Sequence, residues 1–101
     1  MATFLFNTTF TVDDNLRDAW LKWMLSTYVP TMRTVAPGST HELYQIDGTG
    51  SDGAHSFSSQ WRCDSLMLLG NLRSTSAQLC SDVMQTMGES CLAFSTLMKS
   101  L

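Results

Sequence analysis

Hydrophobic and polar positions alternate at the start of the chain, which is the period of a β-strand with two different faces. The first face is mainly aromatic and aliphatic and consists of Phe4, Phe6, Thr8, Phe10 and Val12. The second face is more polar and consists of Leu5, Asn7, Thr9 and Thr11. The pattern therefore predicts a first strand that buries one side more deeply than the other.

A helical period follows this strand. Side chains of one stripe recur there at spacings of three and four residues, in the order Leu16, Ala19, Trp20, Trp23, Met24 and Thr27. Asp13 or Asp14 is placed to accept hydrogen bonds from the free N–H groups of the first turn. Because Pro30 lacks an N–H group, we expect the helix to end or kink there, with a further turn reaching towards Arg33.

The period of two returns at residues 40–46 and again at residues 54–61. The run 47–53 between them is rich in Gly and Asp, which favour turns, so we expect an antiparallel hairpin. A turn centred near Gly50 would place Tyr44 opposite His55 and His41 near Ser58.

A second helical stripe begins after Asp64, which we expect to cap the helix, and Gly88 is placed to end it. The stripe consists of Leu66, Leu69, Leu72, Leu79, Val83 and Met87. Gly70 and the cluster 74–76 have low helix propensity, so the pattern predicts two helical segments rather than one. Residues 91–98 then read as a final strand.

The predicted order is βαββαβ, which is typical of the ferredoxin-like α+β fold: a four-stranded antiparallel sheet with two helices on one face. At 101 residues the chain is long enough for one hydrophobic core, so we expect residues 1–101 to form a single domain. The first and last strands carry apolar residues on both faces, namely Phe4, Leu5, Phe6, Leu92, Phe94, Leu97 and Met98. The face without helices needs cover, and an identical subunit is the simplest cover.

Composition supports partial burial of the surface against a partner. Charged residues make up 15% of the chain, against a typical value of about 25%, while 13 Ser and 12 Thr residues supply polar surface. The net charge is -3 and the six basic residues are scattered, which argues against nucleic-acid binding. No apolar run approaches the ~20 residues that span a bilayer, so we expect no membrane association.

The cysteine pattern favours a reducing compartment. Cys63, Cys80 and Cys91 are an odd number of thiols without CxxC spacing, which fits neither a disulfide framework nor a zinc site. The N-terminal residues lack the basic region of a signal peptide, and we expect a cytoplasmic location. The glycine-containing run 47–53 joins two strands instead of opening a helix, so it does not predict a phosphate site, and we expect no cofactor.

Three segments of the chain carry a family resemblance: residues 12–30, with the sequence Trp20-Leu21-Lys22-Trp23-Met24, and residues 60–65 and 93–98. Together they resemble the short bacterial proteins that share domain of unknown function 4286, over nearly the whole chain. The layout is also similar to the dimeric α+β barrel superfamily, which includes small antibiotic-biosynthesis-type monooxygenases and stress-responsive barrel proteins.

This resemblance implies two sheets that face each other across a homodimer, and often a pocket between sheet and helices in each subunit. The family has no established activity, so the resemblance carries a fold and leaves the function open. Members commonly have a His at the position of Tyr28 and an Arg at the position of Ser95. Any chemistry that depends on those two groups is absent from this chain.

The candidate ligand pocket combines an aromatic cluster with a few polar groups. Trp20, Trp23, Met24 and Trp61 offer large apolar faces to a small apolar or aromatic ligand, although their helical spacing favours a role in the core. The polar candidates are Asn7, Tyr28, His41 and Arg62, which would hydrogen-bond an oxygen-rich ligand or lie at the rim of a dimer.

We expect no metal site, because His41 and His55 do not converge in the predicted hairpin and no carboxylate cluster stands beside either of them. The leading hypothesis is a non-catalytic role, as a small-molecule-binding or interaction module. The alternative is a cofactor-independent monooxygenase or isomerase that orients a reactive substrate with few catalytic groups. Such an enzyme would use Asn7, His41 or Trp61. A pocket that opens to solvent beside one of these residues would favour this alternative, and the absence of a cavity beside all three would argue against it.

Overall fold

The computed structural model describes residues 3–46, 53–88 and 91–101. Their elements, in order, are β1 (Phe4–Asp13), a 3-10 turn (Asp14–Leu16), α1 (Arg17–Trp23), a π-helical turn (Met24–Tyr28), α2 (Val29–Val35), β2 (Thr40–Gln45), β3 (Ala54–Cys63), α3 (Leu66–Met87) and β4 (Cys91–Lys99). The predicted turn 47–53 lies largely outside the described residues. With the helical pieces before β2 counted as one, the order is the predicted βαββαβ.

The four strands form one antiparallel sheet in the order β2-β3-β1-β4. β1 lies in the centre, with Phe10 opposite Phe57 of β3 and opposite Ala93 of β4. This order and the helices between the strands make the chain an α+β protein of the ferredoxin-like class.

The first helical segment, residues 14–35, continues through Pro30 instead of ending there. The π-helical turn Met24–Tyr28 directly precedes α2, in which Pro30 occupies the first turn. A proline ring in an α-helix clashes with the carbonyl group four residues earlier, which here belongs to Ser26. The wider π-turn includes Ser26, so it changes the backbone at the point where that clash would arise.

The second helix is a single element of 22 residues, so the prediction of two segments was wrong. Leu69, Leu72 and Val83 are buried along its length, and this packing outweighs the weak propensity of Gly70 and of the Ser and Thr cluster. The N-cap is Ser65, whose hydroxyl accepts a hydrogen bond from the Leu68 N–H, and not the predicted Asp64. Gly88 ends the helix with a positive φ of 65°, as expected.

The hairpin register differs from the prediction. Tyr44 lies opposite Ser58, and His41 lies opposite Trp61. The prediction placed the turn centre too early, which shifted the pairing by three residues. Because three is an odd number, the shift changes which side chains share a face, since neighbouring residues of a strand face opposite sides of the sheet. His41 therefore shares the helix-facing side with Trp61, and His55 pairs with Val12.

The two faces of the sheet have different environments. The helix-facing side of β1 and β3 is fully packed, and Phe6, Phe10, Val12 and Trp61 are almost completely buried there. We call the other side the open face, because no described helix lies against it; it consists of Leu5, Asn7, Thr9, Thr11, Asp13, Thr40, Glu42, Tyr44, Ala54, Ser56, Ser58, Gln60, Arg62, Leu92, Phe94, Thr96 and Met98. The helical segments among the described residues are too short or too polar to cross a membrane.

Candidate functional site

The aromatic stripe of the first helical segment is packed against the sheet. The indole of Trp20 stacks on the ring of Phe57, with ring centroids 4.5 Å apart and planes 22° apart. Trp23 stacks on Tyr28 at 5.4 Å, and Phe10 contacts all three rings of the helical segment. Trp20, Met24 and Tyr28 are completely buried. In this conformation these side chains fill the space between sheet and helices.

Several hydroxyl groups lie in the same space between the sheet and the helices. The Tyr28 hydroxyl lies 2.7 Å from Ser76 Oγ on α3, and Thr8 Oγ1 lies 2.9 Å from Ser95 Oγ on β4. Thr8, Ser59 and Ser76 are buried, so these bonds satisfy groups that water cannot reach. Burial raises the pKa of Tyr28 to about 12, and the phenol therefore stays protonated at neutral pH.

His41 is held against Trp61 at the edge of this interior. Its imidazole lies 4.3 Å from the indole, centroid to centroid, and its Nε2 atom lies 2.8 Å from Ser59 Oγ. Burial, followed by the charge of Arg33, lowers the pKa of His41 to about 4. The imidazole is therefore neutral at physiological pH and acts as a hydrogen-bonding partner of Ser59.

The depressed pKa of His41 makes the stability depend on pH. Its ordinary pKa is about 6.5 in the unfolded chain, so between pH 6.5 and 4 the unfolded state binds more protons than the folded state. The stabilising contribution is present above pH 6.5 and is lost as the pH falls towards 4. Because the ring is only half-buried, solvent screens part of the effect, and we expect a loss of roughly 1–2 kcal/mol.

Urea unfolding of the wild type and of His41→Gln at pH 7.5 and pH 4.5 measures this loss. Carboxyl groups titrate in both proteins, so the difference between the two pH dependences isolates His41. The variant should lose less stability on acidification than the wild type. Equal losses in the two proteins would show that His41 is not the group responsible.

Two of the predicted polar residues lie on the open face, away from the aromatic stripe. Asn7 Oδ1 accepts a hydrogen bond from Ser58 Oγ at 2.5 Å, and its amide nitrogen donates to Thr9 Oγ1 at 3.2 Å. Gln60 donates in turn to Ser58 Oγ. Arg62 belongs to the same face, next to Leu5. The structure therefore separates Asn7 and Arg62 from Tyr28, and the eight predicted residues do not form one pocket in this conformation.

Arg62 lines two clefts at one end of the sheet. We call the first the loop cleft, of about 330 Å³, lined by Thr3, Pro37, Gly38, Thr40, Arg62, Cys63, Asp64 and Leu68. We call the second the strand-end cleft, of about 370 Å³, lined by Thr3, Leu5, Arg62, Met98, Lys99 and Ser100. Sequence reasoning named Arg62 but missed Lys99, Thr3 and Ser100. Thr3 lies near one end of the described chain, and Lys99 and Ser100 lie near the other. Sequence alone does not show that they are close, because β1 and β4 pair only in the folded sheet.

The remaining titratable groups form isolated contacts. His55 Nε2 lies 2.6 Å from the Asp14 carboxylate, which is exposed. Burial raises the pKa of the Cys91 thiol to about 11 and also raises that of Cys80. Such thiols are protonated and poor nucleophiles at neutral pH. Across the three described ranges, no three His, Cys, Asp or Glu side chains are grouped as metal ligands would be.

Comparison with known families assigns the chain to one of them. Residues 3–101 match the family described as "Domain of unknown function (DUF4286)", and the chain belongs to this family. The resemblance inferred from the sequence is thereby confirmed. The curated proteins contain no match to the sequence.

Solved structures share the fold at low sequence identity. A dimeric ferredoxin-like protein from an uncultured marine organism is similar at a TM-score of 0.64 and 10% identity, over 100% of this chain and 97% of that one. A NIPSNAP family protein of unknown function from Agrobacterium tumefaciens gives a TM-score of 0.62 at 12% identity, over 97% and 87% of the two chains. An "ethyl tert-butyl ether d (EthD) family protein" from Bacillus halodurans gives a TM-score of 0.54 at 18% identity, over 100% and 98% of the two chains. These similarities confirm the ferredoxin-like α+β fold.

Proposed function

We propose that the protein is a non-catalytic binding module that acts in the cytoplasm as a homodimeric α+β barrel, with the open faces of two copies packed together. The observation that carries the proposal is the apolar strip along β4 on the open face. Leu92, Phe94 and Met98 are 52%, 64% and 43% exposed there. Exposed apolar side chains in one row are typical of interaction surfaces.

The shape of the molecule supports this assembly. The chain is a slab of 41 × 26 × 17 Å, so the open face is broad compared with the thickness. An interface of standard size buries about 800 Å² of each partner, which a face of these dimensions can supply. Asp13, at the end of β1, Glu42 and Arg62 are the charged residues among those that form the open face. Packing two such faces together therefore leaves few charges to desolvate.

The polar part of the open face is suited to burial as well. Asn7, Thr9, Ser58 and Gln60 already hydrogen-bond one another across β1 and β3. Removing polar groups from water costs less free energy when they are already hydrogen-bonded within one subunit than when they are unpaired. The marine ferredoxin-like protein of the same fold is described as dimeric, which supports the same arrangement here.

Binding is favoured over catalysis by the state of the titratable side chains. Burial raises the pKa values of Tyr28 and Cys91 further above neutrality and lowers the pKa of His41, so all three side chains are neutral at physiological pH. The alternative, a cofactor-independent monooxygenase or isomerase, needs a substrate cavity beside Asn7, His41 or Trp61. Neither the loop cleft nor the strand-end cleft is lined by any of these three residues.

Sedimentation velocity over a dilution series from about 100 μM to about 1 μM tests the assembly. We expect one species with twice the mass of a single chain at the higher concentrations. Hydrogen exchange at the same concentrations should show backbone amides of β4 exchanging more slowly as the dimer forms. A species that sediments as a monomer throughout the series would refute the proposal.

A further inference from the structure

β4 forms one edge of the sheet, and among the described residues no strand pairs with its outer side. In an antiparallel ladder, successive residues of a strand direct their main-chain groups to opposite sides. The Ser100 N–H donates to the Thr3 carbonyl, so even-numbered residues of β4 bond to β1. On the other side of β1, the Asp14 N–H donates to the Gly53 carbonyl, which agrees with this alternation. The N–H and C=O groups that point outwards belong to the odd-numbered residues Ala93, Ser95, Leu97 and Lys99.

The two edges of the sheet differ in how well they are protected from pairing with another chain. β2, at the opposite edge, has six residues and includes His41 and Glu42. β4 has nine residues, and from Cys91 to Met98 the sequence contains no charged residue, Pro or Gly. Its register with β1 is continuous, without a bulge. Natural edge strands avoid pairing by being short or by carrying charges, Pro or a bulge, so the edge of β4 is suited to main-chain pairing.

The edge of β4 is also accessible. Ser95 and Leu97 belong to the helix-facing side, yet Ser95 is exposed and Leu97 is 44% exposed, so α3 leaves this part of the strand uncovered. The open-face contact of the proposed dimer covers side chains on one side of the sheet. The main-chain groups of the edge point in the plane of the sheet, so that contact does not satisfy them.

We propose that β4 pairs edge to edge with β4 of a second copy, antiparallel about a twofold axis, with Ser95 opposite Ser95. This register is in phase with the outward-pointing groups, and it pairs the strand over its full length because Ser95 is the middle residue of β4. The pairing joins two sheets into one. It extends the open face of one copy into that of the next instead of covering it.

The side chains of β4 complement one another in this register, which favours a second copy over an unrelated peptide. On the helix-facing side, Leu97 of one copy lies opposite Ala93 of the other, so a large side chain meets a small one. The two Ser95 hydroxyls lie side by side. Lys99 lies opposite Cys91, at the far ends of the paired strands, so the two ammonium groups are well separated. A strand edge is smaller than an interface of standard size, and we expect a weak, reversible contact.

Oxidative cross-linking of Ser95→Cys traps such a contact and tests the pairing. In the proposed register the two substituted residues form a hydrogen-bonded pair with Cα atoms about 5.5 Å apart, which is within the range of a disulfide. Leu97→Cys is the matched control, because Leu97 is exposed on the same side of the same strand while its two copies would lie about 13 Å apart. Ser95→Cys should form covalent dimers at least about tenfold faster than Leu97→Cys. The wild type, whose Cys63 and Cys91 are buried, gives the background rate.

A mixture of Ala93→Cys and Leu97→Cys chains tests the register independently of Ser95. These two residues lie opposite each other across the twofold axis, so the mixture should cross-link at a rate within about threefold of that of Ser95→Cys. Each of the two variants alone should cross-link slowly, because its own copies are too far apart for a disulfide.

The edge pairing would be overturned if Ser95→Cys cross-linked no faster than Leu97→Cys, or no faster than the wild type. This test is separate from that of the open-face dimer, because residue 95 lies on the helix-facing side and packing of two open faces does not bring its copies together. A wild type that sediments as a dimer while Ser95→Cys stays uncross-linked would reject the edge pairing and leave the open-face dimer standing. Rapid cross-linking of Ser95→Cys, with a wild type that sediments as a monomer, would support the edge and reject the open-face dimer.

Discussion

Replacing Trp20 with alanine should lower the free energy of unfolding by about 4 kcal/mol. Trp20 is completely buried, stacks on Phe57 and contacts Phe10, so truncation removes an indole from the centre of the packed layer. The loss combines the transfer free energy of the ring with the cost of the cavity that remains. Domains of this size are stable by 5–15 kcal/mol, so the variant would keep only a part of its stability. Urea unfolding followed by tryptophan fluorescence measures the change.

Two control variants separate packing from other effects. The indole N–H of Trp20 has no acceptor among the residues described, so Trp20→Phe loses no hydrogen bond and should cost less than about 2 kcal/mol. Leu25→Ala removes a side chain that is 61% exposed in the same helical segment, and should change stability by less than about 0.5 kcal/mol. A loss below 1.5 kcal/mol for Trp20→Ala would contradict the assignment of this ring to the core.

The sequence predicted the fold well because two periods in it are unambiguous. The alternation from Phe4 to Val12 assigns the correct residues to each face of β1, and the stripe containing Trp20 and Met24 is buried as expected. Both patterns follow from the requirement that one face of every element leave water. The element order then follows from where each period begins and ends.

The errors in the fold arose where local signals compete with packing. Gly70 and the Ser and Thr cluster after it weaken a helix locally, but burial of Leu72 and Ser76 against the rest of the domain holds α3 together. The hairpin register depends on the turn between β2 and β3. A turn of several Gly and Asp residues has no single geometry that sequence can fix, so the pairing of Tyr44 was wrong by three positions.

The candidate site was harder to predict than the fold, because its residues come from distant parts of the chain. Helical spacing placed Trp20 and Trp23 on one stripe, and both indoles pack against Phe10. Arg62 and Met98 are far apart in sequence and lie in one row of the sheet only because β1 pairs with both β3 and β4. Periodicity reports which face a residue occupies and does not report which strand lies next to it.

Replacing Phe94 with aspartate should dissociate the proposed dimer with little effect on the fold of each copy. Phe94 is 64% exposed in the single chain and pairs with Thr9 on the open face, so the monomer loses little packing. In a twofold dimer each substitution occurs twice, and each copy would then bury a carboxylate where it had buried a ring. With a cost of about 2 kcal/mol per copy, the dimer dissociation constant should rise about a thousandfold.

Sedimentation at about 10 μM should therefore show a dimer for the wild type and a monomer for Phe94→Asp. Leu25→Asp is the matched control, because Leu25 is similarly exposed but belongs to the π-helical turn on the other side of the sheet. It introduces the same charge and should leave the dimer intact. Circular dichroism should give the same helix and strand content for all three proteins.

If Phe94→Asp and Leu25→Asp shift the sedimentation equally, the added charge acts at a distance and β4 does not form the interface. A shift confined to Phe94→Asp would place the contact on the open face, since its carboxylate can disturb assembly strongly only where the partner excludes water from it.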